Sequence, residues 1–307
     1  MKRIKPSTAA YLAGAAVALI LLAFWKPTAV VYGVQRAGMY AAIALPMALV
    51  LGIVHIVNLA HGEFMMVAAY ITYALSRALG IDPFLSMLIT TPVMALVGLG
   101  VYRLTVSRTV DGPELNQLIL TFGIAMIFSQ VVNLIATSQP RKISLPYVSA
   151  SATIGETTFG TYDFLFVALA AAVLIGLQLF LKRTRLGQAA TAVGQNPRGA
   201  RIVGINVQRT YAIVFAIAAG LLGIIGTFFL TKASIFPMVG GSYTMKSFCL
   251  VAMAGIGNLP MVVVGSVILG IAESSIQAIP GGGGWSQLVF FGLIIVAILV
   301  RSMRRPA

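Results

Sequence analysis

The chain has 307 residues, of which 59% are hydrophobic and 9% charged, and its mean hydropathy is +0.97. These values exclude a soluble globular domain, because several apolar runs approach the roughly 20 residues that a helix needs to cross a bilayer. The chain carries a net charge of +14, and its basic residues lie mostly between those runs. This placement favours a role in membrane orientation and contact with anionic lipid over binding of nucleic acid. We therefore expect an all-α, polytopic integral membrane bundle that forms a single domain over residues 1–307.

The apolar runs predict about ten transmembrane helices, with eight to ten crossings open because one run is short. In chain order the predicted spans are Thr8–Trp25, Val34–Ile53, Leu59–Leu79, Phe84–Val106, Asn116–Thr137, Asp163–Leu181, Tyr211–Thr231, Tyr243–Gly257, Met261–Ile279 and Trp285–Val300. The first run follows a basic N-terminus as in a signal peptide. Its length and the lack of a clear cleavage site favour an uncleaved span.

The basic residues predict the orientation of these spans. With a cytoplasmic N-terminus, fourteen of the 21 Lys and Arg residues lie on the cytoplasmic side, and the C-terminus lies there as well. Residues 138–162 then form an external loop with two β-like patches, Ile143–Val148 and Ala152–Phe159. We interpret it as either a docking surface for a soluble protein or a plain connecting loop.

The cytoplasmic loop of residues 182–210 carries six Lys or Arg residues and no acid, yet its pattern predicts ordered helix. Leu186, Ala190 and Val193 recur at helical spacing and form one small apolar face. Asn196 has the character of an N-cap followed by proline at the first helical position, and Gly204 stands where a helix would end. The alternatives are a rigid helix that contacts a partner and a solvated positive-inside loop.

Ionisable and amide side chains at membrane depth are costly and are usually paired or functional. The candidates are Asn58, His61, Gly62, Glu63, Asn116, Gln130, Asn133 and Glu273. Three interpretations stay open for them: helix packing and capping, a polar path for a solute, and a proton relay. No His–Glu pair has the helical spacing of a metal site, so we expect none.

The chain contains no G-x-x-x-x-G-K-S/T segment and no arrangement typical of a catalytic nucleophile. We therefore expect a protein that is not an enzyme, binds no cofactor itself and lacks an ATPase site of its own.

Three segments resemble the signatures of branched-chain amino acid ABC transporter permeases. Residues 52–66 (GIVHIVNLAHGEFMM) resemble G-x-x-N-F/L-A-H-G-E, and residues 187–206 (GQAATAVGQNPRGARIVGIN) resemble the cytoplasmic segment of that family. The blocks MKSF, AGIGNLP and LGIAE at 245–248, 254–260 and 269–273 resemble its C-terminal motifs. The similarity extends from about Gln35 to the C-terminus, in order and at family spacing.

This resemblance implies a bacterial inner-membrane permease subunit that pairs with a second homologous permease, as a hetero- or homodimer. Two cytoplasmic ABC ATPase subunits, which carry ATP and Mg²⁺, and a periplasmic solute-binding protein complete the importer. The resemblance makes the 182–210 loop the site of a coupling helix that rests on an ATPase. The residues it assigns to coupling are Gly187, Gln195, Asn196, Arg198, Gly199, Ala200, Arg201 and Gly204.

The expected solute is a branched-chain or other small amino acid, with urea, short amides and other acids open. A proton-coupled secondary transporter is the alternative function, and a purely structural scaffold is the third.

Overall fold

The computed structural model describes residues 27–110, 112–143, 145–154, 157–286, 288–292 and 294–295. The predicted span Thr8–Trp25 lies outside these residues, and the predicted span Trp285–Val300 is described only in part. The helices in the described part are α1 Pro27–Ile53, α2 His61–Leu79, α3 Pro83–Leu104, α4 Glu114–Ala136, α5 Phe164–Arg183, α6 Arg185–Gln195, α7 Pro197–Ile202, α8 Val207–Lys232, α9 Val239–Ala254 and α10 Leu259–Gln277. A two-stranded antiparallel hairpin joins β1 (Ser151–Ile154) to β2 (Thr157–Gly160).

Among the described residues, six helices are long and apolar enough to cross a membrane: α1, α3, α4, α5, α8 and α10. Of the 18 most apolar consecutive residues of α1, 83% are buried, whereas the share in α4 is 17%. Helix α1 is therefore central and α4 peripheral. All six coincide with predicted spans. The all-α membrane class is thus confirmed, while the total of about ten crossings stays a prediction.

The central helix α1 packs closely on α10 and α5 because glycines remove side chains at the contacts. A Cβ atom on Gly33 would lie 2.6 Å from the Ile271 Cα atom of α10. A Cβ atom on Gly38 would lie 2.6 Å from the Val167 nitrogen of α5. These close approaches bury α1 on several sides.

Buried hydroxyl groups connect helices on the other side of the bundle. The Thr72 hydroxyl of α2 lies 2.8 Å from that of Thr227 in α8 and 3.2 Å from that of Thr90 in α3. Since a bilayer core offers no water, such side-chain pairs satisfy hydroxyl groups that lipid would leave unsatisfied.

The bundle has two distinguishable ends. At the loop end lie α6, α7 and the C-terminus of α1, since Gly194 packs against the Gly52 carbonyl. At the hairpin end the Tyr32 and Gln35 side chains of α1 donate to backbone carbonyls of Thr158 and Gly160 in β2. The second predicted β-like patch, Ala152–Phe159, lies within this hairpin. The first is not a strand, since it contains the 3₁₀ turn Pro146–Ser149.

Helices α2 and α9 begin inside the bundle and not at one of its ends. The His61 ring at the start of α2 bonds the carbonyl of Ile43, ten residues before α1 ends. Gly240 at the start of α9 packs on Gly62. The predicted span Leu59–Leu79 thus starts as a broken element. Non-helical backbone is tolerated at this depth because protein covers it, with Ile56, Asn58 and Ala60 buried.

Candidate functional site: a capped loop and a helix junction

At the loop end, side chains cap successive helix starts of the predicted cytoplasmic loop. The Thr184 hydroxyl accepts from Gly187 N at 2.9 Å and begins α6. The Asn196 Oδ1 atom accepts from Gly199 N at 2.9 Å and begins α7, as the sequence predicts. The Asn206 Oδ1 atom accepts from Arg209 N at 2.9 Å and begins α8. Each cap satisfies a backbone donor that a helix start otherwise leaves free, which gives the loop a defined shape.

The end of α7 is closed equally well by Gly204. Its φ of 83° lies in the left-handed region that glycine adopts readily. Two backbone bonds accompany it, from Ile205 N to Ala200 O at 2.9 Å and from Gly204 N to Arg201 O at 3.1 Å. This pair of bonds is the Schellman motif, so the predicted stop at Gly204 is confirmed.

Glycines hold α6 against the bundle. A Cβ atom on Gly187 would collide with the Phe180 carbonyl at the end of α5, so only glycine fits there. Gly194 faces α1 in the same way, 3.0 Å from the Gly52 carbonyl for an added Cβ atom. Ala190 and Val193 of the predicted apolar face are buried between them, whereas Leu186 is exposed.

The outward surface of the loop is not formed by Ala200. The side chain of Ala200 is only 4% exposed and packs inside the loop, and its part in coupling stays a prediction. Ile202 and Val203 carry the exposed apolar surface, at 86% and 74%. The sequence motif did not single them out, although two apolar residues directly before a helix-ending glycine were the available signal. Gln195, Arg198 and Arg201 are exposed beside them.

The second candidate region is the junction where α2 begins. The Asn58 Oδ1 atom accepts from Ala60 N at 3.0 Å, and His61 Nε2 donates to Ile43 O at 2.8 Å. The backbone N of Gly62 donates to the Thr244 hydroxyl of α9 at 2.7 Å. These buried groups bond to protein, which favours packing over a solute path for them. A cavity of ≈ 10 Å³, at the lower limit for one water molecule, lies beside Asn58 and His61.

Glu63, in the first turn of α2, packs against the first turn of α9, so that two helix starts meet there. Its carboxyl group lies close to the Gly241 backbone and to the Ser129 hydroxyl of α4. Its side chain packs so tightly on Gly240 that an added Cβ atom there would be 2.6 Å from the carboxyl carbon. A helix N-terminus attracts negative charge, so this placement suits a capping carboxylate. The Oε2 atom has no partner in the described part of the protein.

The amide side chains of α4 divide into two sets. Gln117, on the inward side, donates to carbonyls of the 109–112 turn. Asn116 and Gln130 face outward, and Asn133 is half-buried. The described residues provide no hydrogen-bond partner for these three side chains. They interrupt an otherwise apolar exposed face that includes Met126.

Glu273 joins a group of side chains that the sequence reading did not bring together. Its Oε2 atom accepts from the Tyr40 hydroxyl at 2.6 Å, and its Oε1 atom lies 3.5 Å from Arg36 and 3.4 Å from Lys246. The Lys246 ammonium also donates to the Tyr40 hydroxyl at 2.7 Å and lies over the rings of Tyr40 and Phe290. We call Arg36, Tyr40, Lys246 and Glu273 the ionic cluster.

In the described ranges, no three His, Cys, Asp or Glu side chains lie close enough to hold a metal ion. The chemistry these regions offer is therefore backbone capping, helix packing and charge pairing.

Comparison with known protein families gives a match that covers most of the chain. The family model described as "Branched-chain amino acid transport system / permease component" matches residues 29–299. The chain belongs to this permease family. Both the capped loop and the helix junction lie within the matched residues.

Three relatives illustrate the range of this permease family. The chain is 27% identical to the high-affinity branched-chain amino acid transport system permease protein BraD of Pseudomonas aeruginosa, over 88% of this chain and 92% of that protein. It is 28% identical to the corresponding permease protein LivH of Escherichia coli K12, over 87% and 91%. The L-arabinose transport system permease protein AraH of the same organism is 26% identical over 61% and 58%. No solved structure matches the chain significantly.

Proposed function

We propose that this chain is the permease subunit of an ATP-driven importer of branched-chain amino acids in the bacterial inner membrane. A second homologous permease subunit, two cytoplasmic ATPase subunits and a periplasmic binding protein complete the complex. ATP and Mg²⁺ act on the ATPase subunits, and this chain carries out no reaction itself. The observation that carries the proposal is the capped loop, in a chain that belongs to the permease family. Its exposed apolar residues, Ile202 and Val203, form what we call the tip.

The tip is suited to transmit motion because it is rigid and apolar. The caps at Thr184, Asn196 and Asn206 fix α6 and α7 relative to the bundle. Ile202 and Val203 then offer an apolar contact to a groove, while the exposed Arg198 suits acidic side chains at its rim. Movement of the ATPase would reach α1 through Gly194, which packs on Gly52.

The solute path, in this proposal, runs along the outward face of α4 and the start of α9. Gln130 and Asn133 supply amide groups there, and Met126, Met238 and Met245 supply adaptable apolar surface. The Ser129 hydroxyl donates to the Pro237 carbonyl at 2.8 Å and thereby joins α4 to the segment before α9. An amide exposed to lipid is unfavourable, so a partner helix or a solute at this face accounts for these residues.

Orientation and span number complete the proposal. Both termini lie in the cytoplasm, about ten helices cross the membrane in one domain of residues 1–307, and the hairpin end faces the periplasm. The hairpin of residues 151–160, tied to α1 by Tyr32 and Gln35, is the docking surface for the binding protein.

A proton-coupled carrier is the second candidate function. It is favoured by one observation, the buried Glu63 Oε2 atom that lacks a partner among the described residues.

The decisive experiment is solute-stimulated ATP hydrolysis by the complete complex in proteoliposomes, together with ATP-driven leucine uptake. Ile202→Glu with Val203→Glu should abolish both activities while the permease remains inserted and assembled, because the tip lies outside the bundle. Leu186→Glu places one such negative charge on an exposed position at the base of the loop and should leave coupling intact. Normal coupling in the tip variant, or uptake that an uncoupler stops but ATP depletion does not, would contradict the proposal.

A further inference from the structure

The ionic cluster contains more positive than negative charge. Arg36 of α1 and Lys246 of α9 approach the same atom, Glu273 Oε1, at 3.5 and 3.4 Å. Charge-assisted hydrogen bonds normally measure about 2.7–2.9 Å, so neither cation is closely paired with it. The other carboxylate oxygen is occupied by the Tyr40 hydroxyl at 2.6 Å. One carboxylate therefore serves two cations, and one positive charge is left over.

The described part of the chain provides no second anion for this site. Asp82 caps the start of α3, and Asp163 forms an ion pair with Lys232 at 2.6 Å. Glu63 of α2 packs against Gly240, and Glu114 lies exposed in the first turn of α4. Because an uncompensated charge within a membrane span is costly, the excess calls for an anion beyond those that the described residues supply.

The donors for such an anion are present on Arg36. A guanidinium group has five N–H donors, and in the described residues its contact is the long one to Glu273. Its side chain is 29% exposed, whereas that of Lys246 is 16% exposed. Lys246 is already held by the Tyr40 hydroxyl and by two aromatic rings. Arg36 is thus the accessible cation, and Lys246 and Glu273 hold its surroundings in place.

We propose that the ionic cluster binds the carboxylate of the transported solute through the Arg36 guanidinium, on the half of the bundle nearer the hairpin end. A guanidinium fork matches a carboxylate with two parallel hydrogen bonds, which an ammonium group cannot reproduce. The class of solute is therefore a carboxylate-bearing one, such as an amino acid, and not urea, an amide or a neutral sugar. This inference rests on the proposed function; the chain is also similar to an arabinose permease, so similarity alone does not set the solute class.

A purely structural cluster would not need Arg36. Tyr40 and Lys246 already join α1 and α9 to Glu273 of α10, so three helices are connected without it. A binding role explains why Arg36 adds a positive charge to the cluster although its own contact with Glu273 is long.

The test measures ligand-dependent melting of the assembled membrane complex without its binding protein. The probes are sodium isovalerate and its neutral isostere isovaleramide, at equal ionic strength. Isovalerate should stabilise the wild-type complex with an affinity at least about tenfold higher than isovaleramide, as one charged bidentate contact provides. Arg36→Gln should abolish the difference. Arg36→Lys should retain an intermediate part of it, and Arg77→Gln, which removes an exposed cation at the end of α2, should change nothing.

Equal stabilisation by both probes, or an unchanged preference in Arg36→Gln, would overturn the assignment. So would a short-chain phosphatidylglycerol that displaces isovalerate in an Arg36-dependent way, since the anion site would then hold a lipid headgroup. If Arg36→Gln fails to assemble, the Arg36→Lys comparison decides, and a full isovalerate preference there overturns the assignment. Failure of the proposed function appears separately, as absent ATP-driven leucine uptake by the wild-type complex.

Discussion

Tyr40 and Glu273 lie 233 positions apart in the chain, and the Tyr40 hydroxyl donates a 2.6 Å hydrogen bond to the Glu273 carboxylate. This bond joins the central helix α1 to α10, and Lys246 brings in α9 by bonding the same hydroxyl at 2.7 Å. A buried network whose members satisfy one another specifies one arrangement of helices. The relative position of α1, α9 and α10 therefore depends on these side chains as well as on apolar packing.

Removal of either partner should destabilise the permease by different amounts. Tyr40→Phe loses one buried hydrogen bond and should lower the free energy of unfolding by about 1–2 kcal/mol. Glu273→Gln leaves two cations without a carboxylate and should cost nearer to about 3 kcal/mol, the lower end for a broken buried pair, because Arg36 is partly exposed. Thermal melting of the purified complex, monitored by intrinsic fluorescence, measures both.

A double substitution checks the electrostatic cause of that loss. Glu273→Gln combined with Lys246→Gln removes one charge of each sign, so it should be more stable than Glu273→Gln alone. A double variant that is no more stable than the single one would mean that packing, and not charge, is what Glu273 contributes.

Gly240 should tolerate no side chain, because it forms the contact between the two elements that begin inside the bundle. An added Cβ atom would lie 2.6 Å from the carboxyl carbon of Glu63 and 2.6 Å from the Gly62 backbone. Gly240→Ala should therefore destabilise the complex by about 1–3 kcal/mol, the usual cost of overpacking. The neighbouring Gly241→Ala is the matched control, since its nearest atom is Glu63 Oε1 at 3.8 Å. Equal melting temperatures for the two variants would contradict this account of the junction.

The parts of the structure that the sequence predicted are those that depend on near neighbours. Asn196, Pro197 and Gly204 predicted α7 and its end because capping involves residues three to five positions apart. The six full spans were predicted because apolar length alone determines them.

The missed features depend on contacts between distant segments. Hydropathy could not reveal that α2 begins beside Ile43, since the non-helical residues before it are as apolar as a span. It could not pair Arg36 with Glu273 either, because the two residues lie on different helices. For Ala200, the motif gave the right residue type, but small residues suit inward packing as well as contact with a partner. The Ala200 side chain is buried in the loop, and its contact with a partner stays a prediction.

Gly187 should be essential for the shape of the capped loop. A Cβ atom there would collide with the Phe180 carbonyl, so Gly187→Ala forces α6 away from the end of α5. We expect loss of ATPase coupling and easier proteolysis within residues 184–206, with the membrane helices still assembled. Gly176→Ala in α5 has nothing within 4 Å of the added atom and should behave as wild type. Unchanged proteolysis in Gly187→Ala would show that the loop does not need this close packing.

Glu63 separates the importer from the proton-coupled carrier. If Glu63 serves to cap α9, Glu63→Gln should keep both assembly and ATP-driven uptake, because the amide retains an oxygen that can accept from the nearby Gly241 backbone. Glu63→Ala removes that oxygen and leaves a cavity beside Gly240, so it should lower stability by about 1–2 kcal/mol and impair uptake. A proton relay predicts a different pair of results, since glutamine cannot carry a proton on and off. An assembled Glu63→Gln complex that has lost uptake, measured with leucine in proteoliposomes with and without an imposed pH gradient, would assign Glu63 to proton transfer instead.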